Sequence, residues 1–317
     1  MTPTLNVLIL NPLSDRHITT ITNLVPQARI IVSDLENALE YIDNIDIIVA
    51  MGLTDIRPLF LQAPKLKWVH ALTAGVEKLI FPEMQASNVV LTNSRGIHGI
   101  PVSEHVLALI LAFNRCINQL IRQQIDHKWK RVLPDEIHEK TLGIIGLGSI
   151  GREIAKKSKG LGMQVLATKR KASQEIFVDK MYTPDKLQDM LALCDFVVVA
   201  LPLTEETREL LRLEHFTAMK RSAYLINIAR GDIIRQPDLI QALQEGLIRG
   251  AGLDVFDQEP LPEDSPLWEM PNVIISPHVA ASSPYYLDRA IKTFADNLAR
   301  YANGGEMFNL IDKIKGY

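Results

Sequence analysis

Several short segments of the sequence bring together residue types that could do chemistry. The first runs Gly143-Ile144-Ile145-Gly146-Leu147-Gly148-Ser149-Ile150-Gly151, a GxGxxG that follows an apolar strand-like run and opens a helical pattern reaching about Leu161. In that setting Gly146 permits a tight turn, Gly148 lets backbone approach a pyrophosphate with no Cβ in the way, and Gly151 allows close helix-to-strand packing. The helix start adds unpaired N–H groups and the positive end of its dipole. Three glycines alone are a weak signal; the strand before them and the helix after them are what dinucleotide binding requires.

At the end of the next strand an NAD site places Asp or Glu to bond the adenosine ribose hydroxyls. This chain instead reads Ala167-Thr168-Lys169-Arg170-Lys171. A carboxylate there would repel a 2′-phosphate, whereas Thr168, Lys169 and Arg170 could bond and neutralise one. The expectation is a preference for NADP(H), with NAD(H) still usable. The structural alternative is a solvated basic loop.

Three later segments carry the parts that carbonyl reduction beside a carboxylate needs: a cation to hold the acid and polarise the ketone, a proton donor, and a group that tunes the donor. Asn227-Ile228-Ala229-Arg230-Gly231 places Arg230 just past a buried strand, while Gln258-Glu259-Pro260 and Ser276-Pro277-His278 supply a carboxylate and an imidazole. Singly, each also reads as structure: Arg230 as a surface ion-pair partner, Glu259 as a turn cap, His278 as a satisfied histidine. No spacing rule alone joins them. His98 and His105 flank the start of a helix with no Cys or carboxylate at metal-ligand spacing, so capping or solvent-facing roles are expected and no metal site is assigned. Trp129 and Trp268 read as packing, with a cleft role open for Trp268 because it lies near His278 in sequence.

The elements that must position these groups are legible as apolar runs. Residues 6–10, 29–32, 46–50 and 67–70 form one series of strands alternating with helical patterns, and 141–145, 164–167, 196–200, 224–228, 250–253 and 272–275 form another. This is the pattern of open, mostly parallel α/β sheets. Val102, Val106, Leu109, Ile110, Phe113, Ile117 and Leu120 recur at three- and four-residue steps, which predicts one long amphipathic helix from Pro101 to Ile125; another helix is expected from Tyr285 to Asn303. No internal repeat or low-complexity tract is visible.

A chain of 317 residues with 47% hydrophobic and 22% charged residues is long enough for two compact domains. The net charge of −3 comes without a basic stripe, so nucleic acid is not an expected partner. Cys116 and Cys194 sit in apolar stretches without CxxC spacing and read as buried free thiols. Neither a signal-peptide pattern nor an 18-residue apolar run is present, so no membrane is expected and the reading is cytoplasmic.

The order GxGxxG, Asn-Ile-Ala-Arg-Gly, Gly-Leu-Asp-Val-Phe-Asp-Gln-Glu-Pro-Leu-Pro and Ser-Pro-His-Val-Ala resembles the D-isomer-specific 2-hydroxyacid dehydrogenases, from about Trp68 to the C-terminus. The resemblance implies reduction of a small 2-oxo acid with NAD(P)H. In it Arg230 grips the substrate carboxylate and carbonyl, His278 is the acid in reduction and the base in oxidation, and Glu259 bonds His278 to keep a proton available near neutral pH. It implies a cofactor set of Gly146, Gly148, Ser149, Ile150, Gly151, Thr168, Lys169, Arg170, Leu201, Pro202, Thr207, Ile228, Ala229 and Asp254, with Asp254 on the nicotinamide carboxamide. Leu72-Thr73-Ala74-Gly75-Val76-Glu77 resembles the loop whose backbone N–H groups receive the substrate carboxylate, giving Ala74, Gly75 and Val76; many relatives carry Asp in place of Glu77. It implies two Rossmann-like doubly wound domains with a cleft between them: a flavodoxin-like substrate-binding domain, 1–99 plus 284–317, and a dinucleotide-binding domain, 100–283. A homodimer built on the latter, with the helix from Val102 contributing, is expected. The terminal Lys315-Gly316-Tyr317, with Lys169 and Arg170, points to the NADPH-linked glyoxylate and hydroxypyruvate reductase-like branch. The alternatives are a short-form phosphoglycerate dehydrogenase, the long form being disfavoured because the chain ends at Tyr317, and an NAD(H)-sensing binding protein like the family's co-repressors.

Overall fold

The computed structural model describes residues 4–171 and 174–314; the terminal Lys315-Gly316-Tyr317 lies outside them. The chain divides into two compact units, Met1–Ile97 with Ser283–Tyr317, and His98–Ser282. Each is built on a parallel sheet buried on both faces, which is why its strands read as continuous apolar runs rather than alternating ones.

The first unit begins β1 (Leu5–Ile9), α1 (Asp15–Leu24), β2 (Ala28–Val32), β3 (Ile47–Ala50), α2 (Arg57–Phe60), β4 (Trp68–Ala71), α3 (Pro82–Ala86) and β5 (Val90–Asn93). Its strand order is β2-β1-β3-β4-β5. One face packs Val7, Ile9, Ile47, Val49 and Trp68, the other Leu8, Ile48, Ala50, Val69 and Ala71.

The second unit opens with α4 (Gly99–Asn114) and α5 (Ile117–Ile125) and continues β6 (Thr141–Ile145), α6 (Ser149–Gly160), β7 (Gln164–Thr168), β8 (Lys180–Tyr182), α7 (Leu187–Leu191), β9 (Phe196–Val199), α8 (Leu213–Ala218), β10 (Tyr224–Asn227), α9 (Gln236–Gln244), β11 (Gly250–Leu253) and β12 (Val273–Ile275). The seven strands run β12-β11-β10-β9-β6-β7-β8. The order reverses between β6 and β9, paired with Ile145 opposite Val199, and this switch point is where doubly wound sheets bind ligands beyond their strand C-termini. The chain then returns to the first unit as α10 (Tyr286–Ala302), whose Ile291, Phe294, Ala295 and Leu298 pack in one core with Trp68.

One long helix from Pro101 to Ile125 is corrected to two. Cys116 adopts φ 57, and the axis bends by 67° between α4 and α5. The apolar period continues across the break, so periodicity does not reveal it. α4 buries Val102, Val106, Ile110 and Phe113, whereas α5 buries nothing. No single helix among the described residues is long and apolar enough to cross a membrane; only the bent α4–α5 pair passes on length and composition. Cys116 and Cys194 are buried and free, and burial pushes the Cys194 thiol up to about 12.

Candidate active site

The glycine turn lies between β6 and α6. Gly146 has φ +98, a conformation L side chains rarely adopt, and a Cβ there would meet Leu201 Cδ2 at 2.7 Å and the Ala200 carbonyl at 2.8 Å. A Cβ on Gly151 would stand 2.6 Å from the Gly146 carbonyl, so the helix can pack on the turn only without one. Gly148 is the opposite case: nothing lies within 4 Å of its Cβ direction, and it caps α6 with extended backbone. A turn closed on its sheet side and open above the helix start fits a pyrophosphate, with Ser149, Ile150 and Gly151 in the first turn beneath it.

Among the other expected cofactor contacts, Thr168 is buried and its Oγ1 accepts from the Gly146 N–H at 3.1 Å, so its hydroxyl braces the turn. Arg170 is exposed, whereas Lys169 is half-buried with its Nζ 3.0 Å from Glu175 Oε1. Leu201 lies against Gly146, and Thr207 Oγ1 donates to the Pro202 carbonyl at 2.7 Å, closing the loop beyond β9. Ile228 and Ala229 are buried core residues.

The three late segments follow the C-terminal ends of β10, β11 and β12, which are neighbours in the sheet. Asn227 shapes the first: its Oδ1 accepts from the Ala229 N–H and its Nδ2 donates to the Arg230 carbonyl, both at 3.1 Å. Arg230 Nη1 then donates to the Ala229 carbonyl at 2.7 Å, and the guanidinium is otherwise exposed. Gly231 presses on the second segment; a Cβ there would fall 1.8 Å from the Phe256 carbonyl carbon. The Phe256 N–H donates to Glu259 Oε1 at 3.0 Å, and His278 Nδ1 stands 2.8 Å from Glu259 Oε2.

Burial alone would raise the Glu259 carboxyl. The His278 hydrogen bond, the Phe256 N–H and the charges of His278 and Arg230 outweigh burial and hold it below the usual carboxylate range. An ionised carboxylate only accepts, so Nδ1 carries a proton and Nε2 is the imidazole nitrogen that exchanges one with a ligand. The His278 side chain is 47% exposed, open enough for that exchange.

Asp254 holds the histidine in place. Its Oδ1 accepts from Ser276 Oγ at 2.6 Å and the Val279 N–H at 2.9 Å, its Oδ2 from the Ala280 N–H at 2.9 Å, and its carbonyl from the His278 N–H at 2.8 Å. His278 itself sits at φ 52, a left-handed conformation worth about 1–2 kcal/mol of strain in a non-glycine residue, which these bonds over-determine. The Ser276 proton is used on Asp254, so its oxygen accepts from His105 Nε2 at 3.0 Å. His105 therefore neither caps α4 nor stands free in solvent, and His98, the N-cap residue, makes no side-chain cap bond. Trp129 is likewise corrected from packing to 100% exposed, while Trp268 is half-exposed with Nε1 donating to the Pro262 carbonyl.

In the other unit, the loop after β4 has its carbonyls tied down one by one. Ala71 accepts from Ser94 Oγ, Leu72 from Tyr286 Oη, Thr73 from the Ser94 N–H, Ala74 from Asn93 Nδ2 and Gly75 from Thr73 Oγ1. Ser94 is steadied in turn by buried His70, which burial pushes down to about 3 and keeps neutral. Among the described residues no acceptor meets the N–H of Ala74, Gly75 or Val76. A Cβ on Gly75 would stand 2.6 Å from the tip of the Glu77 carboxylate, a flexible side-chain end that can swing aside.

With the geometry described, comparison with known proteins is specific. The family model of the NAD binding domain of the D-isomer specific 2-hydroxyacid dehydrogenases matches residues 107–280. A glyoxylate reductase of Korarchaeum cryptofilum is 34% identical over 285 residues, 87% of this chain and 85% of that protein. A D-isomer specific 2-hydroxyacid dehydrogenase family protein from Aeromonas salmonicida superposes with TM-score 0.84 at 34% identity, covering 98% of this chain and 99% of that one. An NADPH-dependent glyoxylate/hydroxypyruvate reductase from Sinorhizobium meliloti, solved with NADP and sulfate, gives TM-score 0.79 at 28% identity over 99% of this chain and 100% of that one.

Proposed function

The chain belongs to the D-isomer specific 2-hydroxyacid dehydrogenases, and from that premise we propose that it reduces a small 2-oxo acid, of the glyoxylate or hydroxypyruvate kind, to the D-2-hydroxy acid with NADPH as the preferred cofactor. The observation that carries the chemistry is the 2.8 Å pairing of His278 Nδ1 with Glu259 Oε2 beside the Arg230 turn. The nicotinamide, when bound, supplies the hydride. Arg230 holds the substrate carboxylate and polarises the ketone, and His278 donates the Nε2 proton to the carbonyl oxygen as C2 is reduced. Glu259 fixes the ring orientation through Nδ1, and the N–H groups of Ala74, Gly75 and Val76 receive the carboxylate. Asp254 retains acceptor capacity on Oδ2 for a carboxamide N–H beyond its bond to Ala280. NADPH oxidation across glyoxylate, hydroxypyruvate, pyruvate and branched 2-oxo acids tests the reading; no turnover with any of them removes it.

The NADPH preference rests on Lys169 and Arg170 just past β7, where this chain has no acid. Lys169→Asp is expected to raise the KM for NADPH about tenfold or more while leaving that for NADH within a few-fold, since one charge-assisted phosphate contact is lost and a repulsion added. Equal use of NADPH by the variant would clear Lys169 of phosphate binding.

The proposed partner is a second copy of the chain, through the nucleotide-binding unit. Ile121 and Ile125 on α5 are 52% and 72% exposed, and beyond it Trp129 and Leu133 are 100% and 93% exposed. An apolar stretch this open is what a self-complementary interface covers. Trp129→Glu is expected to convert a dimer to a monomer in sedimentation equilibrium; a monomeric parent protein overturns the dimer.

A further inference from the structure

An acid is missing from the end of β7, yet the structure brings one back. Glu175, from the segment between β7 and β8, places Oε1 3.0 Å from Lys169 Nζ, and Arg152 on the first turns of α6 grips the same carboxylate through Nε at 3.0 Å and Nη2 at 2.9 Å. The Glu175 side chain is only 17% exposed, and the Arg152 guanidinium is pushed up chiefly by its hydrogen bond to Glu175.

Two cations around one carboxylate, one of them a planar fork, are also the elements of a phosphate cradle. Guanidinium geometry matches two phosphate oxygens as it matches two carboxylate oxygens, and lysine adds a point charge. The strand end next to Lys169 is where a doubly wound fold meets the adenosine ribose. We infer that Glu175 is a tethered competitor of the cofactor's 2′-phosphate: it occupies the Arg152–Lys169 cradle, is displaced when NADPH binds, and thereby sets how strongly the enzyme favours NADPH over NADH. This rests on the reading above that Lys169 marks the 2′ end of the site, and it adds Arg152 as a second phosphate ligand.

The competition has a definite sign. A ligand that must evict an internal anion binds more weakly than the cradle alone would allow, by the fraction of time the cradle is vacant. The adenosine ribose of NADH carries no 2′-phosphate and need not evict it. Glu175 thus selectively weakens the phosphorylated cofactor.

Isothermal titration of the whole protein with adenosine 2′,5′-bisphosphate and with adenosine 5′-monophosphate reads the cradle without turnover. Glu175→Gln is expected to tighten the bisphosphate about three- to tenfold, the scale of a partly exposed ion-pair network, and to leave the monophosphate within twofold. KM for NADPH should fall by the same factor with kcat unchanged. Arg152→Gln should weaken the bisphosphate alone. Unchanged or weaker bisphosphate binding in Glu175→Gln, with Lys169→Asp still sensitive, overturns the competition and leaves the cofactor reading standing. Insensitivity of Lys169→Asp as well removes both. If Glu175→Gln loses the monophosphate too, its nucleotide site is damaged and Glu175→Asp, one methylene too short to hold both cations, is titrated instead with the same expected direction; no tightening there overturns the proposal.

Discussion

Replacing His278 with alanine should lower kcat for 2-oxo acid reduction about a hundredfold to ten-thousandfold, the usual worth of a positioned proton donor, while the nicotinamide cofactor still binds with near-parental affinity. The imidazole is the group paired with Glu259, and its Nε2 is the atom proposed to give up the proton. Alanine alone is an ambiguous test because residue 278 sits at φ 52. Asparagine tolerates that left-handed conformation better than alanine but is no acid. His278→Asn is therefore expected to lose as much activity as His278→Ala while unfolding at a temperature closer to the parent's. If the asparagine variant keeps parental turnover, His278 is not the acid; if only the alanine variant is inactive, the backbone turn rather than the proton was being measured.

How much of this was visible before the fold depends on whether a feature is local. The parallel sheets are, because a strand buried on both faces is an unbroken apolar run: Ile47–Ala50 and Phe196–Val199 are buried at every position. β8 escapes because Lys180-Met181-Tyr182 is a three-residue edge strand with little apolar content, and β5 because Val90–Asn93 ends in two buried polar residues, Thr92 and Asn93. The bend at Cys116 escapes because a positive φ leaves no trace in apolar spacing. The glycine turn is legible since each glycine has its own local reason. Convergence is a property of sheet order: Glu259 and His278 are 19 residues apart, and they meet because β11 and β12 are adjacent. His105 lies 171 residues from Ser276, so only the folded chain reveals that it steadies the loop carrying His278. Glu175 is the sharpest case. A strand-end rule looks for an acid at one position and finds lysine, while the fold returns the carboxylate from six residues further along.

Arg230→Gln should reduce kcat/KM about a hundredfold to a thousandfold, the scale on which one charge-stabilising donor acts, and the loss should divide between both constants. A guanidinium on the substrate carboxylate contributes to KM, whereas its attraction for the oxygen that gains charge as C2 is reduced appears only in kcat. Among the described residues the Arg230 guanidinium has no carboxylate partner, and the one hydrogen bond it makes, Nη1 to the Ala229 carbonyl, aims the fork rather than neutralising it. Arg230→Lys keeps the charge and loses the planar fork, so it should recover part of kcat and little of KM. The pH profile supplies a separate reading. Arg230 is one of the charges that hold Glu259 below its usual range, so its removal lets that carboxyl rise, and as pH falls Glu259 is protonated sooner. The acid limb of kcat/KM should accordingly move to higher pH in Arg230→Gln and stay in place in Arg230→Lys. A higher KM with parental kcat and an unmoved acid limb would leave Arg230 as a carboxylate anchor and strip it of any part in polarising the ketone.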